Sequence, residues 1–243
     1  MTGEKMKRPK APAFYPIHRK EFKWTIHPSP GPHPIESSLP IAIILREILG
    51  YASNLREVKY MLNKGYVKVD KRVIKDYRFP VGLMDILELV PEEKLYRMLP
   101  TPKMRVYPFE ISKEEANIKP LRVKVKMMVR GGITQFTFHD GRNLLEKDPE
   151  KACKIKPGDT LVYDLENKQI LKHIPLQKGV LALVIGGSKT GTVGTIEDIV
   201  HPDKLRPKIV HLRVNGGTVQ TIKDYIFPIG LDTPVIKLPE VKT

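Results

Sequence analysis

The chain has 243 residues, with 42 Lys and Arg against 27 Asp and Glu, a formal charge of +15, and 22 prolines that favour several small units over one large one. Such a balance suits a polyanion, nucleic acid before a membrane surface, and disfavours a cationic partner. Nothing spans a bilayer, because the longest apolar run, LPIAIILREIL, is interrupted by charge; MTGEKMKRPK lacks the apolar core of a secretory signal; and the single Cys153 excludes an internal disulfide or a Cys-based zinc site. A cytoplasmic protein is predicted.

Residues 1–38 read as an extended basic arm. Seven Lys or Arg precede His27, interleaved with Phe14, Tyr15, Phe22 and Trp24, and PSPGPHP (28–34) cannot lie inside a helix or sheet. Cations beside rings suit RNA, where bases stack and phosphates need neutralising, so Arg19, Lys20, Lys23 and Trp24 are candidate contacts. Ser38 then predicts a helix cap, with Pro40 in the first turn. Ile41, Ile44, Leu45, Ile48 and Leu49 form an apolar stripe that ends near Gly50, and Arg46 faces outward.

Residues 53–89 are the most informative stretch. Asn54 can cap a helix over about 55–64, Glu57 can complete a capping box, and Gly65 stands where a left-handed terminator belongs. Leu55, Val58, Met61 and Leu62 fall on one helical face, whereas Arg56, Lys59 and Lys64 project elsewhere. YVKV, the turn Asp70-Lys71 and RVI predict a hairpin carrying Lys68, Lys71 and Arg72, followed by Lys75, Arg78 and the strand MDILEL. Between Asn54 and Arg78 eight cations face three acids, a compact unit that wants a polyanion.

Beyond Pro91 the pattern is β. In RVKVKMMVR, strict alternation would put Val123, Val125, Met127 and Val129 on a core and Arg122, Lys124, Lys126 and Arg130 outside. Turns at Gly131-Gly132 and Asp140-Gly141 complete a small β domain. Near Lys178 a third unit begins, where an apolar strand meets GGSKTGTVG. There Gly186, Gly187, Gly191 and Gly194 predict a positive-φ path that exposes backbone amides beside Lys189. A hairpin through Asn215-Gly216-Gly217 completes a small barrel of about five strands. One phrase recurs, KDYRFPVGLMD at 75–85 and KDYIFPIGLD at 223–232.

Catalytic signals fail. In the glycine loop Ser188 and Leu183 hold the two positions where a phosphate-binding ATPase loop requires Gly, and GxGxxG is absent. The seven histidines, at 18, 27, 33, 139, 173, 201 and 211, show no metal-ligand spacing, and His139-Asp140 sits at a turn where Asp serves conformation. No catalytic residue, metal or cofactor is predicted.

KRPKAP, HRKEFKW, PSPGPHP, the SLP helix start, REVKYMLNKGYVKVD and DYRFPVGLMD, in this order, resemble the archaeal and eukaryotic family of small-subunit ribosomal protein four, e type, over nearly the whole length. The resemblance implies an α+β multidomain protein. Its parts would be the basic arm (1–38), a helix-pair-plus-hairpin RNA-binding domain (39–94), a middle β domain (95–172) and a C-terminal KOW-type, SH3-like barrel (173–243). It further implies a structural component that binds rRNA of the small subunit and neighbouring ribosomal proteins, with no membrane and no small-molecule substrate. The matching residues are Asn54, Arg56, Lys59, Lys64, Lys68, Lys71 and Arg72, then Gly186, Gly187, Lys189, Gly191 and Gly194. This chain has Asp70-Lys71 where the family usually has Asp-Gly, and GGSKTG is less basic than usual. A length of 243 residues with a short stretch after Val235 points to an archaeal form. Two other classes fit the residues less well. A pseudouridine synthase would need Gly-Arg-Leu-Asp, which DGRN at 140–143 does not supply, and a KOW-type transcription or translation factor would need no RNA-binding arm.

Overall fold

Short alternating runs punctuated by Gly, Pro and Asp cannot build one long-stranded sheet, and the computed structural model, which describes residues 5–200, 207–214 and 217–238, shows several small antiparallel ones. The chain forms two units, Met1–Ala116 and Asn117–Thr243. The expected turn at Asn215-Gly216 and His201 lie outside the described residues. Among the described residues no helix is long and apolar enough to cross a membrane.

In the first unit the arm departs from expectation. It is folded: β1 (Lys5–Lys7) pairs with β2 (Trp24–Ile26), and Ala11, Tyr15 and Ile26 enter the core of the unit. Arg8, only 6% exposed, ties the strands of the arm together: its Nε donates to the Trp24 carbonyl at 3.2 Å and its Nη1 to that of His18. PSPGPHP is indeed neither helix nor sheet. It lies along residues 78–82, with the Ser29 amide donating to the Arg78 carbonyl at 2.9 Å and His33 stacked so closely on Gly82 that a Cβ there would sit 2.3 Å from the ring. His33 Nε2 lies 3.0 Å from the carboxylate of Asp85, which also accepts the Gly82 amide at 2.9 Å, and both side chains are buried.

Ser38 does not cap a helix. Its hydroxyl donates to the Pro34 carbonyl at 2.8 Å, and β3 (Ser38–Pro40) pairs with β6 (Pro80–Gly82), so the helix α1 (Ile41–Ile43) starts three residues later. It widens into a π-turn, Ile44–Ile48, closed by the Leu49 amide on the Ile44 carbonyl at 2.9 Å. Next come α2 (Leu55–Asn63), β4 (Val67–Val69), β5 (Arg72–Val73), β7 (Ile86–Leu89), β8 (Lys94–Leu99) and β9 (Tyr107–Glu110), the strands in sheet order β5-β4-β7-β8-β9. Residues 95–110, expected with the middle β domain, therefore extend the sheet of the helix–hairpin unit. Arg97, fully buried on β8, donates to the Glu115 carbonyl at 2.7 Å, and burial pushes its pKa down to about 10.

The second unit holds two five-stranded sheets. One has the order β12-β11-β10-β13-β14, from β10 (Ile118–Val129), β11 (Ile133–Phe138), β12 (Asn143–Glu146), β13 (Thr160–Asp164) and β14 (Ile170–Ile174), with a short helix α3 (Pro149–Lys154). The other has the order β18-β17-β16-β15-β19, from β15 (Leu181–Val184), β16 (Val193–Val200), β17 (Ile209–Val214), β18 (Gly217–Ile222) and β19 (Ile226–Gly230). Val162 and Ile174 of the first sheet pack into the core formed by Val180, Ala182, Ile196 and Leu212 of the second. Both echo phrases end in a buried Pro-containing strand, β6 and β19, each at the margin of its sheet, where a missing amide removes no ladder bond.

Strict alternation along β10 fails. A bulge between Val123 and Val125 swaps the faces, so Val123 is buried while Val125 and Met127 are exposed. Lys126 turns inward, donates to the carbonyls of Ala152 and Ile155 at 2.6 and 3.1 Å, and lies over the Phe136 ring. Arg122 donates to the carbonyls of Asp224 and Ile226 at 2.7 and 2.8 Å, tying β10 to the entrance of β19. At the Asp140-Gly141 turn the carboxylate of Asp140 is buried 3.1 Å from the fully buried Lys119 ammonium and 3.1 Å from Arg142 Nε. Burial alone would raise Asp140, but Lys119, with His139 and Arg142, outweighs it and holds the carboxyl below the usual aspartate range.

Two buried pairs can be tested. His33→Ala, which strips the Asp85 carboxylate of its imidazole, should cost about 3 to 5 kcal/mol in urea unfolding, and limited proteolysis should then open the arm first. Because the Asp140 carboxyl titrates lower when folded, the stability it supplies is present above about pH 4 and is lost as pH falls through its folded value. Asp140→Asn should therefore melt lower at neutral pH and show a shallower loss of stability on acidification than the parent chain.

Candidate nucleic-acid interface

Helix α2 exists because each end is satisfied locally. Asn54 Oδ1 accepts the Glu57 amide at 3.0 Å, and Glu57 reaches back one residue further than a capping box requires, to the Ser53 amide at 2.7 Å. At the other end the Gly65 amide donates to Leu62 and the Tyr66 amide to Met61, with Gly65 at φ +75°, a Schellman termination. Val58 and Leu62 are buried and Leu55 and Met61 half-buried, so Arg56, Lys59 and Lys64 must face solvent, and they do.

The hairpin continues this surface. Asp70 and Lys71 both take positive φ, +48° and +66°, the type I′ geometry that matches the twist of the two strands. Asp70 Oδ1 accepts the Ile86 amide at 3.0 Å, which fastens the turn to β7 and leaves Lys71, Arg72 and Lys75 exposed. Lys68 is partly spent on Glu88 at 3.5 Å. Between helix and hairpin stands Tyr77, with the Lys59 ammonium 4.7 Å and the Arg78 guanidinium 5.8 Å from its ring centroid. Tyr60, 58% exposed, carries Lys64 in the same manner. Neither tyrosine stands out in the sequence pattern; for Tyr77 the cue is the repeated Lys-Asp-Tyr, and for Tyr60 its place on the basic side of the helix beside Lys59.

The remaining candidates divide. On the arm, Lys20, Lys23 and Trp24 are exposed, but Arg19 is held by the carbonyls of Pro9 and Pro12 at 3.2 and 3.0 Å. Arg46, half-buried, pairs with Glu47 at 2.7 Å. On β10, Lys124 and Arg130 are exposed, whereas Arg122 and Lys126 are engaged as described. In the glycine loop only Gly187 and Gly191 have positive φ, +85° and +87°. Gly186 and Gly194 serve close packing: a Cβ would sit 2.7 Å from the Tyr225 ring at the one and 2.6 Å from the Arg213 carbonyl at the other. Lys189 is exposed at the tip. Among the described residues no group of His, Cys, Asp and Glu is arranged to hold a metal ion.

Three family models match the chain: the S4 domain over residues 40–87, the RS4NT (NUC023) domain over 3–36 and Ribosomal family S4e over 92–170. The small ribosomal subunit protein eS4 of Ignicoccus hospitalis is 44% identical over 241 residues, 97% of this chain and 94% of that one. The protein of the same name from Pyrobaculum arsenaticum is 47% identical over 234 residues, 96% and 98% of the two chains. The crystal structure of the 30S ribosomal protein S4e from Thermoplasma acidophilum superposes with a TM-score of 0.67 at 30% identity, covering 80% of this chain and 94% of that one. With its helix–hairpin unit, its folded arm and full-length relatives at this identity, the chain belongs to the S4e family of ribosomal proteins.

Proposed function

We propose that this protein is a non-enzymatic structural component of the small ribosomal subunit, in the cytoplasm, which binds rRNA segments and holds them together beside neighbouring ribosomal proteins. The observation that carries the reading is the exposed face formed by Arg56, Lys59, Lys64, Lys71 and Arg72 around Tyr60 and Tyr77. Arg56 and Lys59 stand on a helix whose opposite side is core, and Lys71 and Arg72 on a hairpin fastened to β7 through Asp70. The charges therefore have fixed positions, and phosphates can be neutralised without ordering long side chains afresh. Rings already topped by cations offer planar surfaces for unstacked bases. Folded RNA is recognised by its shape and backbone, which such a face suits better than base reading.

Other modules share the task in this reading. Lys20, Lys23 and Trp24 act from the arm, Lys124 and Arg130 from β10, and Lys189 with the Gly187 amide from the glycine loop, where the Gly191 amide is already held by the Val184 carbonyl at 2.8 Å. The four segments 1–38, 39–94, 95–172 and 173–243 are their working divisions. The C-terminal sheet is a KOW-type, SH3-like module; in support, the last strand β19 returns to pair with the first, β15. Pseudouridine-synthase chemistry has no candidate nucleophile at 140–143, since Asp140 is buried against Lys119 and Arg142.

The test is salt dependence. Affinity for small-subunit rRNA fragments should fall by roughly 10³ to 10⁵ between 50 and 200 mM salt if about 6 to 10 phosphates are engaged. The double change Arg56→Ala with Lys59→Ala should reduce that slope by about 1 to 2 while leaving the melting curve nearly unchanged. A binding constant indifferent to salt would sink the proposal. On β10 two neighbouring cations should behave oppositely: Lys124→Ala should weaken RNA binding with unchanged stability, and Arg122→Ala should lower stability by about 1 to 3 kcal/mol through its two lost carbonyl bonds.

A further inference from the structure

The first unit also contains an open cleft of about 790 Å³ with the arm on one side and the π-turn and its following loop on the other. Phe22 and Trp24 stand on the arm side, 62% and 45% exposed. Two aromatic rings kept beside water at one cavity represent apolar surface that folding has left unburied. They are also held in place. Buried Arg8 grips the Trp24 carbonyl, lies 3.4 Å from Glu21, and stacks 4.9 Å from the Phe22 ring centroid, while the Lys23 ammonium lies 5.4 Å from that of Trp24. A wall ordered in this way loses little further freedom when a flat group settles on it.

The opposite side leaves room and sets the charge. Gly50, at φ +69°, would meet nothing within 4 Å of an added Cβ. Arg46 is compensated by Glu47 at 2.7 Å as Arg8 is by Glu21, so the two guanidinium groups have carboxylates beside them, and the third lining cation, Lys23, is exposed beside Trp24. Such an interior does not favour phosphate. It admits a neutral aromatic group, with anionic parts left outside where Lys20 and Lys23 are exposed. A base within a duplex cannot enter a cleft of this kind, whereas an unstacked one can.

We infer that the cleft holds one unpaired RNA nucleotide, its base stacked on Phe22 or Trp24 and its phosphates outside against Lys20 and Lys23; this rests on the rRNA-binding reading above. Trp24 is the single tryptophan of the chain, so its emission reports on the cleft alone. The full chain would be titrated with hexacytidylate, with a short RNA duplex and with inorganic polyphosphate, following both total binding and indole fluorescence. Hexacytidylate should quench Trp24 saturably, while the duplex and polyphosphate bind with little change in emission. Phe22→Ala should weaken hexacytidylate roughly fivefold or more, Phe22→Tyr should restore it, and duplex binding should be unaffected by either. The inference is overturned if hexacytidylate binds without quenching, or if polyphosphate, which has no base to stack, quenches as strongly. If no RNA binds at all, the broader reading fails too, which separates the two failures.

Discussion

The imidazole of His33 rests on Gly82 and meets the buried carboxylate of Asp85, and the first unit depends on this contact. A proline-rich segment has few amides to offer and little apolar surface, so backbone pairing alone cannot seat it. An ionisable pair sealed from water supplies a specific anchor, because the carboxylate left alone would carry a large desolvation penalty. Gly82 is required there, since any Cβ would collide with the ring. The anchor fixes the path of residues 28–34 along 78–82 and, through it, the return of the arm to the core at Ala11, Tyr15 and Ile26.

A chain with a formal charge of +15 must place its cations with care, and they fall into two groups. Arg8, Arg97, Lys119, Arg122 and Lys126 are turned into the protein, where each meets a backbone carbonyl or a buried carboxylate. There they act as cross-links between segments distant in sequence. Arg56, Lys59, Lys64, Lys71, Arg72, Lys124 and Lys189 are exposed. In isolation these destabilise through mutual repulsion, and a polyanion relieves that repulsion. Structural and RNA-facing roles are thus divided between residues of the same type, and burial decides which is which.

The aromatic residues follow the same division. Tyr15 and Phe136 fill cores, and burial raises the Tyr15 phenol well above its ordinary pKa. Tyr60, Phe22 and Trp24 are exposed and Tyr77 is half-buried, each with a cation over the ring, as the buried Phe136 has Lys126. Cation and ring together present charge and a flat face to one ligand, which duplex phosphates use only in part and unstacked bases use fully.

How much of this was legible in the residues depended on range. Helix α2, its Asn54 cap, its Gly65 terminator and its basic side follow from the spacing of a dozen residues, because those forces act within a turn or two of the chain. The family followed from ordered strings such as REVKYMLNKGYVKVD. What pattern reading missed involves partners distant in sequence. Ser38 looked like a cap until β6 took it into a ladder, and the arm looked extended because nothing near Arg8 announced carbonyls at residues 18 and 24. The alternation of RVKVKMMVR predicted the wrong face from Val125 onward, because a bulge shows only in the register against Phe138 and Thr137. The sequence by itself determined local periodicity, capping and net charge. Tertiary structure alone decided which cations are turned inward and which are exposed, since long-range burial sets the energy of a charge.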